Sequence, residues 1–156
     1  MNEWRESSPG VFFGKARNLC PDGDTFAWLK ARADEAPMKR ARWCVHADAG
    51  DTLQEMLVAV RRDSFLPAHA HRDKPESIIA LEGLAELVLY DELGNIVDKV
   101  ALGAPGGARP FHRRIPANTF HTLSVETEYF LFHEITLGPW HKGDMILAPW
   151  EREKYA

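Results

Sequence analysis

His69 and His71 stand two residues apart in a run, Ser64 to His71, that reads as a β-strand. Alternate side chains of a strand share a face, so both imidazoles project the same way and can meet one ion. Glu76 lies five residues further on, after Arg72-Asp73-Lys74-Pro75, a turn that can return its carboxylate to the imidazoles. A third histidine, His121, follows the Pro and Asn turn Ile115-Pro116-Ala117-Asn118-Thr119-Phe120 at the start of a further strand. Three neutral nitrogens and one carboxylate suit one divalent ion of Fe, Mn, Ni, Co or Zn, with positions left for water or substrate. The competing reading of these side chains is as hydrogen-bonded polar groups of a barrel interior, and the spacing of the whole set weighs against it.

Less specific are the polar residues on neighbouring strands. Arg42, His46 and Gln54 precede the motif and, if turned inward, would orient a substrate hydroxyl or phosphate; exposure on the sheet edge is the competing reading. Lys39, Arg40 and Arg42 form a basic cluster that reads as a solvated strand entrance, with an anion-holding role as the alternative. His133 and Glu134 are adjacent on the last strand, so one of the two faces inward as a candidate proton carrier. Tyr129, Leu131 and Ile135 share the His133 face and Phe130 and Phe132 the Glu134 face, so alternation leaves the choice open. His112 and His141 read as surface residues.

These side chains need strands to carry them. Trp43 to Ala47, Leu53 to Arg61, Ser64 to His71, Ser77 to Leu81, Ala85 to Tyr90, Ile96 to Leu102, Phe111 to Ile115, Phe120 to Val125 and Tyr129 to Leu137 are short and rich in β-branched, aromatic or aliphatic residues. Many short strands at this spacing predict a mainly β sandwich or barrel. Asp91 to Asn95 reads as a hairpin, with Gly94 and Asn95 tolerant of positive φ. Ala104 to Pro110 reads as a flexible connection, because it lacks the ending of a phosphate loop. Ahead of the strands, Asp22 and Asp24 can cap a helix in which Phe26, Leu29 and Ala33 recur at helical spacing until Pro37. Residues 1–21 read as an arm ordered by docking, 22–137 as one domain and 138–156 as a tail of irregular structure that buries Trp140 and Trp150 on the barrel or a partner.

With 45% hydrophobic and 27% charged residues the chain has ordinary globular composition. Its net charge of -4 offers no general attraction to nucleic acid or anionic lipid. Cys20 and Cys44 are too widely spaced for a redox or zinc pair and too few for a disulfide framework. Free thiols, no apolar leader and no stretch of membrane-spanning length lead to the expectation of a cytoplasmic protein, with neither membrane nor nucleic acid as partner.

The run from Pro67 through Gly83, PAHAHRDKPESIIALEG, resembles the first cupin motif, His-x-His, four residues, Glu, six residues, Gly. RIPANTFHTL from Arg114 is similar to the second, with Asn118 where many cupins carry Gly; Asn also accepts left-handed backbone. WCVH, QEML, PAHAHRDKPES and FHEITLGPW together resemble WbuC-type cupin-fold metalloproteins, often associated with surface-polysaccharide gene clusters, over residues 24 to 140. The resemblance implies a cupin jelly roll, a metal at His69, His71, Glu76 and His121, and a sugar-nucleotide setting. Three functions follow as expectations: a metal-dependent isomerase or epimerase of a carbohydrate or sugar nucleotide, an Fe(II)-type dioxygenase, or a cupin that binds a small molecule without turnover. A homodimer is expected through an outer sheet face, since the last strand is apolar on both sides.

Overall fold

In the computed structural model of the chain, residues 4–14 and 20–152 are described; the ends of the expected arm and tail at 1–3, 15–19 and 153–156 lie outside them. Among the described residues twelve strands form two sheets. The larger has the order β1 (Trp4–Ser8), β2 (Val11–Gly14), β3 (Arg40–Cys44), β4 (Leu53–Arg61), β11 (Tyr129–Leu137), β6 (Glu76–Glu82), β9 (His112–Ile115). The smaller has the order β12 (Met145–Leu147), β5 (His69–His71), β10 (Phe120–Val125), β7 (Leu84–Tyr90), β8 (Ile96–Gly103). The chain is mainly β, as the spacing of short apolar runs predicts, and its two sheets have the cupin jelly-roll architecture that the resemblance implies.

Between the sheets, Met56, Val58, Val60, Ile78, Phe130 and Phe132 of the larger meet Leu87, Leu89, Leu102, Leu123 and Val125 of the smaller in one buried core. A second core lies on the outer face of the larger sheet. There Leu29 and Ala33 of α1 (Gly23–Glu35) cover Ala41, Trp43, Leu57, Ala59 and Leu131. Asp22 caps that helix, its side chain accepting from the Thr25 N–H while the Thr25 hydroxyl takes the Asp22 N–H. Full burial of Leu29 contributes roughly 1.5–3 kcal/mol.

The strand read from Ser64 is ordered as a ladder only at His69–His71, and that read as Trp43 to Ala47 is shifted to Arg40–Cys44. Within the expected arm, Trp4–Ser8 and Val11–Gly14 form a hairpin that docks on the larger sheet and extends it, because β2 pairs in parallel with β3. One expectation is corrected. The tail is partly regular: Met145–Leu147 pairs with His69–His71, Pro149–Arg152 is a helical turn (α2), and Trp140 is exposed rather than buried. Trp150 packs against Tyr90 and Phe120. In the 91–95 hairpin only Gly94 takes positive φ, 86°. Gly83 has φ 83°, and a Cβ there would lie 2.2 Å from the Tyr129 carbonyl oxygen, so the turn from β6 to β7 has no room for a side chain. Among the described residues no helix is long and apolar enough to cross a membrane.

Candidate metal centre

Three separate segments bring the four motif residues together. His69 and His71 stand on one face of β5, Glu76 opens β6 after a turn in which Asp73 has φ 54°, and His121 on β10 lies directly opposite His69. The imidazole centroids of His69 and His121 are 4.5 Å apart, and one ring nitrogen from each of His69, His71 and His121 lies within 4.8 Å of the other two. Glu76, 5% exposed, bridges the set: Oε2 is 2.8 Å from His71 Nε2 and Oε1 is 3.0 Å from His121 Nε2.

The outward nitrogens have partners of their own. Nδ1 of His69 lies 2.9 Å from the Pro67 carbonyl oxygen, and Nδ1 of His121 lies 2.9 Å from that of Thr119. A carbonyl only accepts, so each Nδ1 carries the hydrogen and each Nε2 is the atom aimed inward, a lone-pair nitrogen wherever the ring is neutral. For His121 the consequence is sharp, because its Nε2 faces a carboxylate that also only accepts. Either both nitrogens are protonated or a cation takes the place of the second proton. The donor set therefore fits a divalent metal in the chemistry of its atoms as well as in their convergence.

Burial, reinforced by His121, pulls the His69 imidazole down to about 4, so it is neutral at physiological pH. Burial acts in the same direction on His121, but the hydrogen bond and charge of Glu76 outweigh it and raise this group. At Glu76 burial opposes ionisation, yet the hydrogen bonds from His121 and His71 hold the carboxyl well below its usual range.

The structure settles the choice between His133 and Glu134. Glu134 lies opposite Met56 and Ile78, both in the core between the sheets, and one of its oxygens lies within 4.8 Å of ligand atoms on His71 and Glu76. Burial first, and then the negative charge of Glu76, push its carboxyl up. His133 points to the opposite face, beside Leu57 and Leu81, 3.7 Å from Glu55 in a crevice of about 290 Å³ near Phe26. Its expected catalytic role is corrected on that ground: the sheet stands between its ring and the cluster.

Of the three expected substrate contacts, Arg42 is exposed on the inner-facing side, opposite Val58, with a guanidinium nitrogen 3.9 Å from Met56 Sδ, and its charge works against the upward shift of Glu134. His46 and Gln54 are buried and engaged by backbone. His46 Nδ1 sits 3.0 Å from the Glu55 backbone nitrogen, and Gln54 Nε2 donates to the Asp48 and Asp51 carbonyls. Those bonds hold the 47–52 loop, and they occupy His46 Nδ1 and Gln54 Nε2, so the burial of both residues rules out the competing reading of sheet-edge exposure. The sequence reading also missed Met145 and Leu147, which pair with His71 and His69 and so flank them on the same face. Only a period-2 match across a three-residue strand would have revealed them.

A protein-family model described as "Domain of unknown function (DUF6016)" matches residues 22–102. No curated protein matches the chain in sequence. Among solved structures, a protein from Shewanella oneidensis is similar at a TM-score of 0.56 and 9% identity, over 68% of each chain. CapF in complex with 3-isopropenyl-tropolone is similar at 0.56 and 11%, over 69% of this chain and 30% of that one. Lactobacillus farciminis oxalate decarboxylase in its formate complex is similar at 0.51 and 14%, over 67% of this chain and 29% of that one. These likenesses are to proteins of the cupin fold, and at this identity they speak for the fold alone.

Proposed function

The chain belongs to the family described as "Domain of unknown function (DUF6016)", and on that premise we propose that it holds one divalent ion through His69, His71, Glu76 and His121 and acts as an isomerase or epimerase on a carbohydrate or sugar nucleotide. The observation that carries the metal is the Nδ1 bonding of His69 and His121, which leaves inward-aimed Nε2 atoms around a buried carboxylate. A divalent ion bound there would polarise a substrate carbonyl. Glu134 would take the proton from the neighbouring carbon and return it to the adjacent carbon or the same centre. Its raised carboxyl makes it a stronger base than an exposed glutamate, and Arg42 stands near enough to pair with a phosphate or carboxylate of the substrate. The likeness of the motif region to WbuC-type proteins supports a sugar-derived substrate. We extend the proposal to a cytoplasmic homodimer, supported by two free cysteines and by Leu53 and Leu137, 44% and 49% exposed on the outer face of the larger sheet. A monomeric mass in solution at micromolar concentration removes the dimer.

Elemental analysis of protein purified without chelator or histidine tag tests the metal. About one equivalent of ion per chain is expected, lost in a folded His69→Ala/His121→Ala variant. Protein that stays metal-free after reconstitution overturns the proposal and leaves a metal-free binding barrel. The reaction is tested with sugar phosphates and nucleotide-linked sugars in deuterated water: deuterium should enter beside the carbonyl with wild type and not with Glu134→Gln. Oxygen uptake with the iron-loaded protein and no such exchange would instead favour the dioxygenase.

A further inference from the structure

Residues that bind no ion lock the two ligand-bearing turns together. The Asp73 backbone N–H donates to Asn118 Oδ1 at 3.0 Å, and Asn118 Nδ2 donates back to Asp73 Oδ1 at 3.0 Å. The Asn118 N–H donates to the carbonyl of His71 itself at 2.9 Å. Asp73 and Asn118 both adopt left-handed backbone, with φ 54° and 61°. Next to this clasp, Lys74 bonds the Pro139 carbonyl and the Asp144 carboxylate, and the Arg72 N–H donates to the Asp144 carbonyl at 2.8 Å. The turn between His71 and Glu76 is thus held on one side by the turn leading to His121 and on the other by the tail.

From this juxtaposition we infer that Asp73 and Asn118 are positioning residues of the metal centre, a reciprocal side-chain clasp that fixes His71, Glu76 and His121 relative to one another and so sets metal affinity. The inference rests on the metal reading proposed above. The physical reason is the origin of the ligands. They come from strands whose connecting turns are exposed, so an unclasped site would order those turns when the ion binds and lose affinity by that cost. Asn118 also explains the departure from the Gly of many cupins. Both residue types tolerate the backbone angle, but only asparagine carries an amide for Asp73.

Cobalt(II) is the probe, because its visible spectrum reports coordination geometry. Its dissociation constant is measured by chelator competition on the full chain, beside the thermal midpoint of the metal-free protein. Asn118→Gly keeps the left-handed backbone and removes the amide, and it should weaken cobalt binding about tenfold and alter the spectrum. Asn118→Asp sets two carboxylates against each other and should weaken it further. The exchange Asp73→Asn with Asn118→Asp rebuilds the clasp with its polarity reversed and should restore affinity to within about twofold of wild type. Unchanged affinity in Asn118→Gly, with or without a lower midpoint, overturns the inference while leaving the metal reading intact. An exchange that fails to rescue overturns it too. Wild type that binds no cobalt overturns both.

Discussion

The two faces of β11 carry similar residues and meet different fates. On the inner face Phe130, Phe132 and Glu134 enter the space between the sheets, where the phenylalanines pack in the core and the carboxylate joins the histidine cluster. On the outer face Leu131 is sealed by α1, whereas His133 lies beyond the helix at the edge of a crevice. The lesson is that apolar content does not tell a working face from a supporting one. What separates them is the layer laid over each: a second sheet bearing histidines on one side, a helix that stops short on the other.

Truncation sharpens this contrast most. Phe130→Ala should cost about 3–5 kcal/mol in chemical denaturation and Leu131→Ala about 2–5, since both side chains are buried in separate cores. Only the Phe130 change is expected to weaken metal binding as well, because its core continues into the cluster. Equal metal affinity in the two variants would break the comparison.

The cysteines provide a second test. Cys44 lies on the inner side, where burial pushes its thiol up to about 12, and Cys20 is exposed. The thiolate is the reactive form, so a raised value lowers reactivity. An alkylating reagent at pH 8 should modify one thiol per folded chain and two after denaturation. The same shift links to stability: the folded state favours the neutral thiol, so this contribution is complete below the ordinary thiol value and is lost as pH rises through about 12. Rapid labelling of Cys44 in the native protein would show that the inner face opens.

Smallest of all is the expected effect of His133→Gln. Half-buried and 3.7 Å from Glu55, it should change stability by no more than about 0.5 kcal/mol and leave metal content untouched. A variant that lost its metal would return His133 to the candidate site.

Much of this architecture is legible in the sequence. Leu53–Arg61, Phe120–Val125 and Tyr129–Leu137 were readable to the residue, because apolar runs bounded by turn residues mark a strand wherever both faces are covered. The capped helix was readable for the same local reason. β1, β2 and β12 were not, since WRESS and MIL owe their strand form to an available sheet edge rather than to their own pattern. Within the site, spacing and the motif resemblance pointed to His69, His71, Glu76 and His121, which the fold brings together. Spacing did not reveal that His46 and Gln54 bond the backbone of the nearby 48–55 segment, because that contact depends on how the loop folds back on its strand.

Local rules therefore determined from sequence what each segment is: a strand with two imidazoles on one side, a turn tolerant of left-handed backbone, a helix with a capped start. Tertiary structure decided what the segments do to one another. Cross-strand register turned Glu134 inward and His133 outward, burial with neighbouring charge set the protonation of each group, and the contact of two turns distant in sequence made a clasp of Asp73 and Asn118. Periodicity is a property of neighbours along the chain, whereas facing, burial and charge belong to neighbours in space.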